Sequence, residues 1–564
     1  MASITGKPNL FFITSPRSPY KMKDEVRVLV ENFSNQCWTR NPKLQEDFYR
    51  ALADFNFFIG SLSGDLAFKG RDRITRGPKA LGLVDLEPKI SLTEAGFNYL
   101  NSRFPHEAFT RQLLKFQLPS PYHIDKENSF HVKPYLELFR LIFELDGISK
   151  DEIAAFVLQL IHINKYEPVK QKIIGFRKNV EALDRNKTNY KKYFNEIFTQ
   201  EIKETYSEQL EEGNTRVRES DDDSRKNFIE IKKSNHLDYA DAALRYLRET
   251  KLFYLKSYKS TKIYIAENKY KEVKFLLETI SRDPVFVDDE FEYKKYLFNG
   301  NLPIIYSDNK VLLIEQLTEE FPELEKNDLE KLELNDLKSI KFEKSEEKLT
   351  QILQEQKGVL CAYENYSDIV EVFDSIESRT IFDPSLYMEW NTWRAFVMLN
   401  DGEIIANFKF DDKGLPLSTA PGNHPDIVCQ YNNFNLTVEV TLTSGATQYV
   451  NEGEPVARHL GNIQKESEKD CFGFFIAPSL NNAALTHFYV LHRTPTVYYG
   501  GTARIIPLQL SEFKRMIELA QSTQNKPNSL KIESFARSAS RLALTSKNEK
   551  EWYSGIQTLI ETWV

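Results

Sequence analysis

The sequence predicts a multidomain α/β protein. Helical modules carrying short strand pairs come first, then a helical connector, then a C-terminal domain with a mixed central sheet flanked by helices. Three observations carry this expectation. The chain has 564 residues, roughly three to five domains at about 100–200 residues each. Its 41% hydrophobic and 28% charged residues, with 22 Gly and 23 Pro, are a globular composition rather than a disordered or fibrous one. Helical periodicity alternates with short strand-like pairs up to about residue 280, and a helix followed by two strand-like runs comes after residue 385.

Taken in order, residues 81–101 read as a short hairpin around Glu87-Pro88, followed by Thr93-Glu94-Ala95-Gly96 and an apolar helix. A hairpin flanked by helices is the winged-helix pattern. Residues 134–163 predict apolar helices broken at Asp146-Gly147, with Ser149 as N-cap. Tyr239, Ala243, Tyr246 and Leu247 form a helical stripe, and the runs after Lys251 and Lys262 predict a second pair of wing strands. Residues 208–226 are charged and turn-rich, and residues 310–375 are acidic and helical with Leu and Ile at 3–4 spacing. The expected parts are a first winged-helix-like module (1–130), a second (131–290), an acidic helical connector or dimerising element (291–375) and a catalytic domain (376–564).

The net charge of −8 conceals an asymmetry. Residues 1–280 carry 46 Lys and Arg against 39 Asp and Glu, residues 281–380 carry 12 against 24, and residues 381–564 carry 16 against 19. A basic first half and an acidic middle suggest a nucleic-acid-facing region joined to something else. The longest predominantly apolar run, Ile153–Ile163, is far short of the ~20 residues a membrane span needs. The N-terminus lacks a signal-peptide pattern, and Cys37, Cys361, Cys429 and Cys471 offer neither a disulfide framework nor paired zinc ligands. The expectation is a soluble protein of a reducing, bacterial cytoplasm, with no membrane partner.

The stretch 385–460 carries the chemistry. Leu386, Trp390, Trp393 and Val397 recur at helical spacing, so Trp390, Trp393 and Phe396 read as core, with Glu389 at the edge of the stripe. Two strand-like runs, Ile427–Tyr431 and Phe434–Thr441, surround Asn432-Asn433. A two-residue turn there sets Tyr431 opposite Phe434, Asp426 opposite Glu439 and His424 opposite Thr441. Directly opposed residues have Cβ atoms ~4.5–5.5 Å apart, and like charges so placed repel. A divalent cation between the carboxylates removes that penalty, and Mg²⁺ suits because it takes one or two carboxylates and completes its shell with water and phosphate oxygen. Pro425-Asp426, twelve further residues and Glu439-Val440-Thr441 resemble the metal centre of PD-(D/E)xK nucleases, with Thr441 where the usual Lys stands. Glu452 or Glu389 is left to take the role of that Lys. Arg458 and His459 read as helix-surface residues, with reach to a phosphate or water as the alternative, and His424 as a polar hairpin residue or a contact to the scissile strand.

For DNA contacts the densest basic cluster is Arg71, Arg73, Arg76 and Lys79, interspersed with Gly70 and Gly77 as in a loop that hugs a backbone. Arg17 in Ser-Pro-Arg-Ser-Pro, Lys115, Arg245 and Arg248 are further candidates. Arg suits guanine readout, whereas Lys more often meets phosphate.

The chain resembles the AlwI family of type IIS restriction endonucleases, which includes strand-specific nicking enzymes. The resemblance runs over nearly the whole length, through Ser15-Pro-Arg-Ser-Pro19, Leu92-Thr-Glu-Ala-Gly96, Lys115-Phe-Gln-Leu-Pro-Ser120 and Asp238-Tyr-Ala-Asp-Ala-Ala-Leu-Arg245. It is densest in Glu389-Trp-Asn-Thr-Trp393, Gly422-Asn-His-Pro-Asp426, Glu439-Val-Thr-Leu-Thr-Ser-Gly-Ala-Thr-Gln448 and Glu452-Gly-Glu-Pro-Val-Ala-Arg-His459. It implies an active site of four acidic residues, falling here on Glu389, Asp426, Glu439 and Glu452, with Thr441 a shared departure. Asp426, Glu439 and Glu389 would be the ligands of one or two Mg²⁺ ions. The implied activity is cleavage a few base pairs outside a short asymmetric duplex site, leaving a 5′-phosphate. The implied partners are duplex DNA, a transient homodimer or small catalytic subunit for the second strand, and a cognate methyltransferase. A strand-specific nickase is the alternative. A DNA-binding regulator with a degenerate nuclease domain is a further one, and the intact set of carboxylates argues against it.

Overall fold

The computed structural model describes residues 2–53, 62–182, 187–256, 262–399, 401–421 and 424–564. The described residues up to 342 form one compact unit and those from 343 onward a second. That boundary falls inside the stretch 291–375 expected as a connector. Helices Glu290–Phe298 and Lys310–Glu320 therefore belong to the first unit and Tyr366–Glu377 to the second. Leu313, Ile314 and Leu317 pack with Phe321, Leu329 and Leu337 in a core of the first unit. The regular Leu and Ile spacing there is thus used within the unit. The expected boundaries at 130 and 290 also lie inside the first unit.

The first unit is mostly helical, with small hairpins where turn chemistry asks for them. After α1 (Leu66–Ile74), strands β1 (Val84–Asp85) and β2 (Ser91–Leu92) pair antiparallel and lead into α2 (Glu94–Asn101). Thr93 caps α2, its Oγ1 accepting from the Gly96 N–H at 2.9 Å. Gly96 is required by close approach, because a Cβ there would stand 2.0 Å from the Leu83 carbonyl oxygen. Helix α3 (Pro134–Glu144) ends before Asp146 and Gly147, both of positive φ, and strand β3 (Ile148–Ser149) follows. Ser149 and Glu152 form a reciprocal capping box at α4 (Lys150–Ala155). After the long α5 (Arg225–Glu249), β4 (Phe253–Leu255) and β5 (Lys262–Ile265) pair antiparallel and join β3 in the order β3-β5-β4. Both expected hairpins are therefore present.

The second unit is built on a five-stranded mixed sheet. The sheet and the helices around it are, in chain order, α6 (Pro384–Met398), β6 (Glu403–Ala406), β7 (Ile427–Gln430), β8 (Phe434–Val440), α7 (Ala446–Glu466), β9 (Asp470–Ala477), α8 (Asn482–Arg493), β10 (Ile505–Gln509), α9 (Leu510–Ser522), α10 (Ser529–Thr545) and α11 (Glu549–Ile560). The strand order is β10-β9-β8-β7-β6, antiparallel from β6 to β8 and parallel from β8 to β10. The parallel pairs need crossovers, and α7 and α8 supply them. On β9, Phe474 meets Phe396 of α6 while its neighbour Phe475 meets Phe488 of α8. Successive side chains of a strand point to opposite faces, so helices cover both sides of the sheet. This explains why β8 is buried almost throughout instead of alternating. Among the described residues, no helix is long and apolar enough to cross a membrane.

Candidate active site

The site begins with the β7–β8 hairpin. Its register runs from Gln430 opposite Asn435 to Ile427 opposite Val438, and the Tyr431 N–H donates to the Phe434 carbonyl at 3.0 Å. One further step along this ladder brings Asp426 to Glu439, the pairing expected from a turn at Asn432-Asn433. Asp426 is held on both sides. Its Oδ2 accepts from the Val440 N–H at 2.8 Å, and its carbonyl accepts from the Asn407 N–H at 3.1 Å. The Asn407 side chain donates to the neighbouring Pro425 carbonyl at 2.6 Å. Gly422 and Asn423, part of the motif before Asp426, lie outside the described residues, and His424 is exposed.

The hairpin's own second strand and two helices supply three more acids. Glu389, on α6 and 8% exposed, accepts from the Ala420 N–H through Oε2 at 2.8 Å. Glu439, on β8 and 7% exposed, lies 2.6 Å from His459 Nδ1 of α7. Glu452, near the start of α7, accepts from the Thr441 hydroxyl at 2.8 Å. Thr441 in turn accepts from the Thr443 N–H at 3.0 Å. The Thr441 hydroxyl thus holds a fourth carboxylate in place. Trp390, Trp393 and Phe396 are buried core.

Electrostatics bind the four acids into one cluster. Burial pushes Glu389, Asp426 and Glu439 well above the usual carboxylate range, and it raises Glu452 too. The next cause for Glu389 is Asp426, for Asp426 it is Glu439, and for Glu439 it is Glu452. Buried like charges disfavour one another's ionised forms, and a bound cation reverses that balance. Among the described residues, none of the four acids is ion-paired with Lys or Arg, and no three His, Cys, Asp or Glu side chains already stand close enough to enclose a metal. The all-oxygen donor set fits Mg²⁺, which needs only one or two carboxylates beside water and phosphate oxygen.

Two residues here escape the sequence reading. His459 is not on the surface: it is 6% exposed, and burial followed by the Arg458 charge lowers its pKa to about 4. The neutral imidazole can donate from Nδ1 to an ionised Glu439. The spacing held a signal, because Glu452 and His459 are seven residues apart and so share one face of α7. Arg458 pairs with Glu454 at 3.1 Å. The other residue is Gln448, fully buried, whose Nε2 donates to the carbonyls of Thr443 (2.9 Å) and Ser479 (2.8 Å). Its Oε1 accepts from the Asn481 N–H at 2.7 Å, tying the loop after Thr441 to the loop after β9.

The basic candidates of the first unit divide by burial. Arg71 and Arg76 are exposed, Arg71 against the Phe68 ring and Arg76 paired with Asp72 at 2.5 Å. Arg17 is half exposed and reaches Asp238 (2.6 Å) and Asp241 (3.3 Å). Lys79 stacks over Tyr122, Arg73 pairs with the fully buried Glu25, and Arg245 pairs with Asp241 at 3.0 Å. Lys115 and Arg248 are buried at 0% and 4% exposure, away from any surface that could meet DNA. The Lys115 ammonium donates to the Gln112 side chain and to the carbonyls of Tyr296, Leu297 and Asn299. The basic stretch is helical rather than a loop, and its glycines serve packing. A Cβ would lie 2.2 Å from the Gln45 oxygen at Gly70 and 2.6 Å from the Ser15 oxygen at Gly77.

A search of curated protein sequences finds no match. Among solved structures, the small subunit of the heterodimeric restriction endonuclease R.BspD6I is similar at 25% identity and a TM-score of 0.30, over 35% of this chain and 98% of that one. The BpuJ1 endonuclease binding domain, solved with pyrene- and phenanthrene-modified DNA, is similar at 15% identity and a TM-score of 0.30, over 49% of this chain and 90% of that one. The family model of the AlwI restriction endonuclease matches residues 79–516, most of the length. This chain belongs to the AlwI restriction endonuclease family.

Proposed function

We propose that the chain is a Mg²⁺-dependent, type IIS site-specific DNA endonuclease. The first unit would bind a short asymmetric duplex sequence through its winged-helix-like hairpins, and the second would be a PD-(D/E)xK catalytic domain cutting a few base pairs outside that sequence. The observation that carries this reading is the convergence of Glu389 and Glu439, both buried, with the half-buried Asp426 and Glu452 from separate elements, none of them ion-paired with Lys or Arg among the described residues.

Asp426 and Glu439 would hold the ion, with Glu389 completing its shell. A bound Mg²⁺ would supply an activated water and offset charge on the scissile phosphate. Glu452, which accepts from the Thr441 hydroxyl, would orient the attacking water. His459 holds Glu439 in its ionised orientation by donating from Nδ1. A water so activated would attack phosphorus opposite the 3′ oxygen, the P–O3′ bond would break, and the proton lost by the water would be returned through solvent to the leaving 3′ hydroxyl, so that the product keeps a 5′-phosphate.

One such centre cuts one strand. Cutting both strands would take a transient homodimer or a separate small catalytic subunit, and a strand-specific nickase is the second reading. A bacterial restriction system would also include a methyltransferase that protects the same site. Supercoiled plasmid treated with rising enzyme concentrations in Mg²⁺ separates the outcomes. Linear product growing faster than enzyme concentration supports dimerisation, and persistent open circles support nicking. Absence of either product on plasmids of diverse sequence would overturn the endonuclease reading.

A further inference from the structure

An arginine-lined cavity lies in the same unit, displaced from the four carboxylates. It has a volume of about 360 Å³ and lies where α8 and α10 meet the starts of β9 and β10. Four arginines line it: Arg493, Arg504, Arg537 and Arg541. Phe472 forms part of the wall, with the Arg504 and Arg537 guanidiniums 4.7 and 5.6 Å from its ring centre. Phe472 stands three residues before Phe475, which pairs with Glu439. At about 3.3 Å per residue, the cavity is therefore displaced by roughly 10 Å along the strand direction.

The charges around the cavity do not cancel. Arg504 and Arg537 share Asp470 at 2.8 and 2.6 Å, and Arg537 also meets Glu533 at 2.8 Å. Arg493 donates to the carbonyls of Leu544 and Ser546, which carry no charge. Arg541 is exposed on α10 and makes no ion pair among the described residues. Four guanidiniums therefore face two carboxylates.

Three buried polar atoms without a hydrogen-bond partner among the described residues belong to lining residues: Arg504 Nε, Ser540 Oγ and His492 Nε2. Ser540 is 9% exposed and His492 3%. His492 narrows the chemistry of the missing partner. Its Nδ1 lies 2.9 Å from the Phe488 carbonyl, which can only accept, so the proton sits on Nδ1. Burial, opposed by that hydrogen bond, brings the imidazole pKa down to about 4. Nε2 is then a bare lone pair that needs a donor, whereas the Arg504 N–H and the arginine forks need acceptors. Guanidiniums match phosphate oxygens by geometry as well as charge. A phosphate group that keeps a proton offers the donor as well, whereas a phosphodiester or a sulfate does not.

We propose that this cavity binds a protonated phosphate group, either hydrogenphosphate or a terminal phosphomonoester. The reading is independent of the endonuclease proposal. Calorimetric titration of the whole chain tests it, without divalent metal, at constant ionic strength and about pH 6.5, close to the second phosphate pKa. The ligands are inorganic phosphate, a nucleoside 5′-monophosphate and sulfate. The expected result is one-to-one phosphate binding with sulfate at least roughly tenfold weaker, or about 1.4 kcal/mol. Titrating the nucleotide against inorganic phosphate identifies the source. Tighter nucleotide binding points to a nucleotide or a nucleic-acid 5′ end, and tighter inorganic phosphate binding to the free ion.

Arg541→Ala, an exposed position, should weaken phosphate binding roughly tenfold. His492→Phe should remove the preference for phosphate over sulfate while keeping the ring against Trp552. Asp426→Ala should change neither. No saturable phosphate binding, equal affinity for sulfate in the unaltered chain, or loss of binding in Asp426→Ala would each overturn the proposal.

Discussion

Arg17, Arg73, Arg76 and Arg245 of the first unit each face a carboxylate, whereas Glu389, Asp426, Glu439 and Glu452 of the second unit face one another. The first arrangement is complete as it stands. Its exposed pairs contribute only about 0–1 kcal/mol each, so Arg17 or Arg76 can be drawn off its partner by a phosphate at little cost. Arg73 cannot, because leaving Glu25 would strand a charge in the interior. The second arrangement is incomplete until a cation arrives. Paired arginines hold their surroundings in shape, whereas carboxyls that burial and one another push upward hold protons that a bound cation would displace. A census of charges would score both regions as clusters, and only the pairing separates them.

The sharpest way to break this comparison is Asp426→Asn. It keeps an acceptor for the Val440 N–H and removes one charge from the cluster. Cleavage should fall on the order of 10³-fold or more, while the melting temperature of the metal-free protein should hold or rise. A fall in both would mean that the carboxylate serves the fold. His459→Gln should cost about 10–100-fold in activity or apparent metal affinity, the range for a group that orients a ligand. An unchanged metal titration would show Glu439 to be held without it. In the first unit, Lys115→Met leaves buried acceptors without their donor. Urea unfolding should report a loss of about 1–3 kcal/mol, with no change in the salt dependence of DNA binding. Arg71→Ala should do the opposite and with the smallest effect. Stability should stay within about 0.5 kcal/mol, while the slope of log K against log salt falls by about one. If Lys115 moved the salt slope and Arg71 did not, the division by burial would be wrong.

Legibility followed the range of the interactions. Ser149 caps the helix that follows it, as read, because a cap is decided by the next three or four residues. The β7–β8 register followed from a two-residue turn. The stripe of Trp390 and Trp393 marked the buried face of α6. The basic stretch 71–79 misled for the same reason, because Gly70 and Gly77 look like loop residues until Gln45 and Ser15 are seen pressed against them. Lys115 carried no local sign of burial, since its acceptors lie some 180 residues away.

The sequence by itself determined the local geometry of this protein: helix faces, caps, hairpin register and the pairing of Asp426 with Glu439. Backbone periodicity and turn chemistry act over a few residues, so those features are written within a few residues. Tertiary structure alone decided which charges are answered. It brought Ala420 to Glu389 and His459 to Glu439, and it buried Lys115 and Arg248 out of reach of a nucleic acid. Burial and pairing belong to surfaces that meet only after the chain has folded, so a charged residue reads the same in sequence whether solvent or the interior receives it.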